Sequence, residues 1–177
     1  MDQGDHGENI ERQRWLAVLA KTPAAALEAA WQRLADKPQY RVLRRAETGL
    51  VMLRGRIGGS GRPFNLGEMT MTRAAVQLLD TVGNARQTGF GHVAGRSARH
   101  AELIALFDAM LQDPDRQNSL SRHIIEPLAA QYRQTKAAQT AKVMASKVDF
   151  FTTGLTDQVL DDPQHPYAQL LVSSMLQ

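Results

Sequence analysis

Apolar residues recur at helical spacing in the first part of the chain, switch to an extended pattern at Tyr40, and return to helical spacing after Ser97. Between residues 9 and 20, Trp15, Leu16, Leu19 and Ala20 fall on one stripe while Glu11, Arg12 and Arg14 lie elsewhere, which predicts an amphipathic helix. Thr22 followed by Pro23 predicts a restart, with the threonine as N-cap and the proline at the first helical position. The second helix is expected to run to about Ala35 and to bury Leu27, Trp31 and Leu34 before Asp36, Lys37 and Pro38 end it.

From Tyr40 the chain reads as strands. Tyr40 to Ala46 alternates imperfectly, and Leu50 to Ile57 follows at once. The residues between them, Glu47, Thr48 and Gly49, suggest a tight connection in which Gly49 takes positive φ. Gly58, Gly59, Ser60 and Gly61 form a glycine-rich loop. A third extended run covers about Leu66 to Leu79, and a fourth, about Thr88 to Ala94, follows the turn at Val82, Gly83 and Asn84. Four consecutive strands with short links predict an antiparallel meander, because parallel pairing needs crossover connections that this spacing leaves no room for.

Ser97 then caps a third helix carrying Ala98, Ala101, Leu103, Ile104, Phe107 and Met110, closed by Asp113-Pro114. A last helical tract runs from about Ser119 to Val148, with a break or kink expected at Glu126-Pro127. Its middle, Arg133 to Lys142, is weakly apolar and is expected to be solvent-spanning or covered by a partner. The whole reads as one α+β domain over 1–177: two N-terminal helices, a four-stranded antiparallel meander, then C-terminal helices.

Charge is unevenly placed along this frame. The 177 residues carry a net charge of +3, yet residues 40–100 hold ten cations, all arginine, against three acids. Arginine presents a planar fork suited to carboxylate and phosphate oxygens, so the middle of the chain is expected to meet phosphates or an acidic protein surface. Nucleic acid ranks third, since Phe64, Phe90 and Tyr40 make a thin stacking platform. With no cysteine, the chain offers no thiolate for an iron–sulfur cluster or a thiolate-bound zinc. Met1 to Glu8 is polar and acidic, and no long apolar run follows, so a cytoplasmic location with no membrane span is expected.

Several residues are candidates for chemistry or contact. Gly58, Gly59 and Gly61 could aim backbone N–H groups at a phosphate, with Arg54, Arg56, Arg62 and Arg73 nearby in sequence, although the loop lacks the lysine and helix start of a P-loop. A structural or interface loop is the preferred reading. Arg96 and His100 are spaced i, i+4 at the start of the third helix, where they could meet an anion or satisfy a carboxylate or backbone partner. Glu47 is expected to pair with an arginine and fix the hairpin. Phe150 and Phe151 read as core or partner-docking aromatics, and Trp15 and Trp31 as core anchors. No residue is assigned a catalytic or metal-binding role.

The strings themselves then resemble a known family. Arg45-Ala-Glu-Thr-Gly-Leu-Val51, Gly58-Gly-Ser-Gly-Arg-Pro-Phe64, Met71-Thr-Arg-Ala-Ala-Val-Gln-Leu78, Gly91-His-Val-Ala-Gly-Arg96 with His100-Ala-Glu102, and Val148-Asp-Phe-Phe-Thr152 are similar, in this order, to the G subunit of the bacterial phosphonate carbon–phosphorus lyase system. The likeness runs from about residue 15 to 153, leaving 1–8 and 154–177 as peripheral extensions. Ser97 stands where the family pattern has aspartate; both are good N-caps.

The resemblance implies a component of a core complex with the H, I and J subunits, working with the ATPase-like L subunit and including a second copy of this chain. That assembly makes alpha-D-ribose 1-methylphosphonate 5-triphosphate from ATP and methylphosphonate and displaces adenine; ATP is thus a substrate of the complex, and no cofactor is assigned to this chain. The nucleosidase-type activity is associated with the I subunit and the radical step with the J subunit. The G chain is then expected to be a required, non-catalytic component. An alternative has Arg54, Arg56, Arg73, Arg96 and His100 forming a triphosphate-binding wall, and a second alternative is a nucleic-acid-binding module.

Overall fold

The computed structural model describes the backbone of residues 4–56 and 61–145, and the side chains of residues 9–56 and 61–145. The chain divides into two compact units, Met1–Ala137 and Ala138–Gln177. The second is described only over 138–145, the end of the last helix.

Helices α1 (Gly4–Lys21) and α2 (Ala24–Arg33) precede a sheet of β1 (Gln39–Gly55), β2 (Phe64–Leu79) and β3 (Ala85–Ala94). The strands lie in the order β1-β2-β3 and every pair is antiparallel, so the expected meander is present with three strands rather than four. The correction falls at Glu47, Thr48 and Gly49. They do not turn: they lie opposite Arg73, Thr72 and Met71, and β1 continues through them as one strand. Positive φ occurs at Gly67, Gly83 and Gly95, not at Gly49. Irregularities between Val42 and Arg44, and between Arg44 and Glu47, absorb the imperfect alternation that reads in sequence as a strand end.

The β2–β3 connection is closed by one carboxylate. Asp80 Oδ1 accepts the backbone N–H of Val82 at 2.9 Å and of Asn84 at 2.8 Å, while Oδ2 accepts from Asn84 Nδ2 at 2.9 Å. The Asn84 side chain, the first cause, and these backbone donors hold the Asp80 carboxyl below its ordinary pKa.

Helix α3 (Ala98–Leu111) lies on the sheet and forms the interior: each residue from Leu103 to Leu111 is buried. Its close approach has a specific cause. A side chain at Gly89 would collide with the Ala105 carbonyl, and one at Gly91 with the Ala101 carbonyl. Gly89 and Gly91 share one face of β3, and Ala101, Ala105 and Ala109 recur every four residues on α3, so backbone packs against backbone along a seam of small side chains. Ala74, Val76 and Leu78 of β2 complete this buried face, together with Trp15, Leu19, Leu27 and Trp31 from the first two helices. Trp31 meets Phe107 edge-to-face at a centroid distance of 6.2 Å.

Two capping expectations change in detail. Pro23, not Thr22, is the N-cap of α2, and the Thr22 hydroxyl donates back to the Val18 carbonyl of α1 at 2.8 Å. Ser97 does occupy the N-cap of α3, without a side-chain capping bond. Asp113 accepts the Asp115 N–H and starts α4 (Pro114–Leu120). A π-helical turn, Ser121–Ile125, then leads into α5 (Glu126–Ala145), so the expected irregularity is a π-turn directly before Glu126-Pro127. Ile57, Gly58, Gly59, Ser60, Val148, Phe150 and Phe151 lie outside the described residues, as does the rest of the chain after Ala145.

Strand β3 pairs only with Met71–Leu79, whereas β1 and β2 stay paired down to Gly55 opposite Phe64. From the last three-stranded row, Gly49, Met71 and Ala94, residues 49–55 and 64–71 therefore extend outward as a two-stranded arm. At its root the Thr72 hydroxyl donates to the Gly95 carbonyl at 2.7 Å and lies 3.0 Å from the Thr48 hydroxyl.

Candidate functional site

The sheet has one face on α3 and one open. The register places Arg41, Gln77 and Thr88 in one row of the open face, Arg44, Ala75 and Phe90 in the next, and Glu47, Arg73 and His92 in a third. The odd-numbered positions of β2 supply this face and the even-numbered positions face the core, which is why Ala74, Val76 and Leu78 are buried while Arg73 is exposed.

Glu47 sits between two cations. Its Oε1 accepts from Arg44 Nη1 at 2.8 Å and from Arg73 Nε at 2.7 Å, bringing β1 and β2 together as the expected pairing implied. Hydrogen bonds from Arg44 first, then from Arg73, hold the Glu47 carboxyl below its ordinary pKa. Arg41 donates twice to Gln77 Oε1, at 3.0 and 2.6 Å. Three arginines against one glutamate leave this face cationic, with His92 beside them and the half-exposed Phe90 ring at its edge.

The residues singled out in sequence are placed apart. Arg73 belongs to the open face. Arg54 lies near the end of the arm, opposite Asn65, and Arg56 closes that end by donating from Nη1 to the Gly61 carbonyl at 3.1 Å. Arg62 follows Gly61 and is exposed, and Arg96 is exposed in the link between β3 and α3. Among the described residues, Arg54, Arg62 and Arg96 make no ion pair or side-chain hydrogen bond. His100 is buried, its Nε2 3.2 Å from the Leu19 carbonyl, where it ties α3 to α1. Its i, i+4 partner Arg96 does not share that environment. Arg99 is the helix-start cation with an anionic partner: its Nε donates to Glu28 Oε2 at 2.8 Å, linking α3 to α2.

Sequence reasoning missed three things. Arg41 and Arg44 were not distinguished from the other arginines, although strand parity with Arg73 carries that signal. The apolar residues of the arm read simply as parts of extended runs, with no sign of their exposure, yet Leu50, Met52, Leu53, Phe64 and Leu66 are 64, 51, 41, 40 and 62% exposed. The third is Asp108, fully buried within α3. Arg12 Nε and Nη2 donate to it at 3.1 and 2.7 Å, and Trp15 Nε1 donates at 3.0 Å. A lone acid inside the apolar run from Leu103 to Leu111 is the sequence mark of such a carboxylate.

A cavity of about 460 Å³ at the far end of the sheet is lined by Asp36, Lys37, Asp80, Arg86, Asp113 and Arg116, among others. Arg116 is bound to Asp36 at 2.7 Å, and three acids stand against three cations, so this cavity presents no surplus charge to a phosphate. Among the described residues no cluster of three or more His, Cys, Asp or Glu could hold a metal ion, and no helix is long and apolar enough to cross a membrane.

Comparison with known proteins agrees with the quoted strings. Residues 10–154 match the family described as phosphonate metabolism protein PhnG. The alpha-D-ribose 1-methylphosphonate 5-triphosphate synthase subunit PhnG of Rhizobium meliloti (strain 1021) is 37% identical over 142 residues, covering 80% of this chain and 87% of that protein. A 25-residue stretch, 14% of the chain, is 80% identical to a tenth of PhnK of Escherichia coli (strain K12), a protein named for phosphonates utilization and ATP binding. The matched region 10–154 spans α1 to α5 and all three strands, including the glycine seam and the open arginine face; the chain belongs to the PhnG family of phosphonate metabolism.

Proposed function

We propose that this chain is an accessory, non-catalytic subunit of the carbon–phosphorus lyase core complex, required for transferring the ribose 5-triphosphate of ATP to methylphosphonate with release of adenine. Its partners in this reading are the H, I and J subunits and, functionally, the ATPase-like L subunit, in the cytoplasm. A second copy of the chain belongs to the same assembly. The observation that carries the reading is the exposed apolar run along β1 and the start of β2, from Val42 and Leu43 to Leu50, Met52, Leu53, Phe64 and Leu66. A chain acting alone leaves so much apolar surface wet at a cost in solubility; a subunit covers it. Co-expression with the H, I and J subunits, followed by sizing and an adenine-release assay, tests this. Co-elution together with loss of adenine release when this chain is omitted is the expected result. A chain that elutes alone while the remaining subunits keep full activity overturns the reading.

A second reading has its own observation: Arg41, Arg44, Arg73 and His92 gather on one open face, so arginines could line a triphosphate site shared with a partner. Arg41→Ala and Arg73→Ala separate the two. Intact assembly with reduced turnover favours the shared site, and unchanged turnover rejects it.

A further inference from the structure

We infer that the arm of residues 49–55 and 64–71 enters a cleft of a partner protein and is gripped on both faces at once, its arginine-bearing end meeting acidic side chains on the cleft floor. This rests on the subunit reading above and adds the mode of contact. A side chain period of two fixes which residues share a face. Val51 and Leu53 pair with Met69 and Gly67, so they stand with Met71 on the face continuous with Arg73 and Ala75. Leu50 and Met52, paired with Thr70 and Glu68, stand on the opposite face, the one that becomes the core side further along β2; the bulge between Leu53 and Arg54 returns Phe64, opposite Gly55, to the face of Leu53, and Leu66 lies against Gly55 on that same side.

A strand pair lying on a surface needs one apolar face. Here both faces are apolar, and Leu53, Phe64 and Leu66 on one and Leu50 and Met52 on the other are each 40% exposed or more. A two-stranded ribbon is marginal in water without a covered face, and this one has none among the described residues. Cover from both sides means a cleft. The charge at the end selects its floor: Arg54, Arg56 and Arg62 cluster there, Glu68 is the sole acid among the described arm residues, and Arg54 and Arg62 have no partner among the described residues. A second copy fits less well, because it would bring a like-charged end against these arginines.

The chain has no cysteine, so single cysteines can be placed and labelled without background. Leu53→Cys reports one face and Leu50→Cys the other. In the free chain a fluorescent maleimide labels both. In the assembly with the H, I and J subunits, both labelling rates fall by at least about tenfold, as expected for sites in a desolvated interface. Labelling of either face at its free-chain rate overturns the two-faced grip. Concentration-dependent protection of both faces in the chain alone assigns a second copy instead and overturns the proposal. Failure of the unsubstituted chain to co-elute defeats the subunit reading itself and takes this proposal with it. Arg54→Glu with Arg62→Glu tests the floor: association weakens by about tenfold at low salt and loses much of its salt dependence, and an unchanged affinity refutes acidic lining.

Discussion

The side chain of Asp108 accepts the backbone N–H of Phe90 at 2.9 Å. Phe90 lies on β3, whose outer edge pairs with no further strand among the described residues, so a buried carboxylate on α3 takes the place of a strand neighbour for one of its amides. The same carboxylate accepts from Arg12 and Trp15 on α1, and three elements converge on one residue.

Asp108→Asn is therefore expected to cost about 3 kcal/mol or more, the range for breaking a buried ion pair and leaving donors unsatisfied. Urea denaturation followed by circular dichroism measures it. Arg12→Met is expected to cost less than Arg12→Ala, since it keeps the aliphatic stem against the helix. Equal stability of Asp108→Asn and the parent chain would remove Asp108 as the joint between α1, β3 and α3.

Gly91→Ala is expected to prevent native packing, because the added methyl meets the Ala101 carbonyl on a backbone that has no room to retreat. Gly49→Ala is the control. Nothing lies within 4 Å of its added carbon and its φ is not positive, so the substitution is neutral or stabilises by about 0.5 kcal/mol through the unfolded chain. Soluble yield and thermal melting of the two variants give the comparison; a well-folded Gly91→Ala chain would show that α3 does not rest on the β3 backbone.

Thr72→Val keeps the shape of a side chain that is 1% exposed but removes the donor to the Gly95 carbonyl. A loss of about 1–2 kcal/mol is expected, since the carbonyl is left without that partner. Hydrogen exchange provides a local readout: the Gly95 N–H, which donates to the Thr70 carbonyl at 2.8 Å, should exchange faster in the variant.

Glu28 accepts from Arg99 across α2 and α3, and that bond, with a smaller contribution from Gln32, sets its pKa below the ordinary 4.5. A depressed folded-state pKa contributes stability that is present above the unfolded value and is lost as pH falls through the folded value. Glu28→Gln should thus melt below the parent chain at pH 7, with the gap closing as pH drops below the ordinary 4.5. The gap should also shrink in high salt, because the pair is exposed. A gap that persists unchanged in acid would assign the effect to packing.

Much of the helical frame was legible because its signals are local. Trp15, Leu19, Leu27, Trp31 and Phe107 announce buried stripes by spacing alone, and they are buried. The strand count was not legible at Glu47-Thr48-Gly49, because a turn and a bulged strand draw on the same residues, and only pairing with Arg73, Thr72 and Met71 decides between them. Glu47's pairing with arginine followed from its rarity among cations. The separation of Arg73 from Arg96 and His100 did not, since nearness in sequence says nothing about which face of a sheet or which side of a helix a residue joins. The arm was hidden for a related reason: Leu50 and Leu66 read only as members of extended runs until β3 is seen to end at Ala94.

That early end of β3 makes the arm a separable unit. The seam that holds the molecule together, Gly89 and Gly91 on Ala101 and Ala105, shares no residue with the arm of 49–55 and 64–71. A substitution in one stretch leaves the other's contacts untouched, so the arm can be exchanged as a unit while the interior keeps its packing. Grafting a relative's arm onto this chain between Thr48 and Thr72 should leave folding intact and transfer whatever the arm encodes.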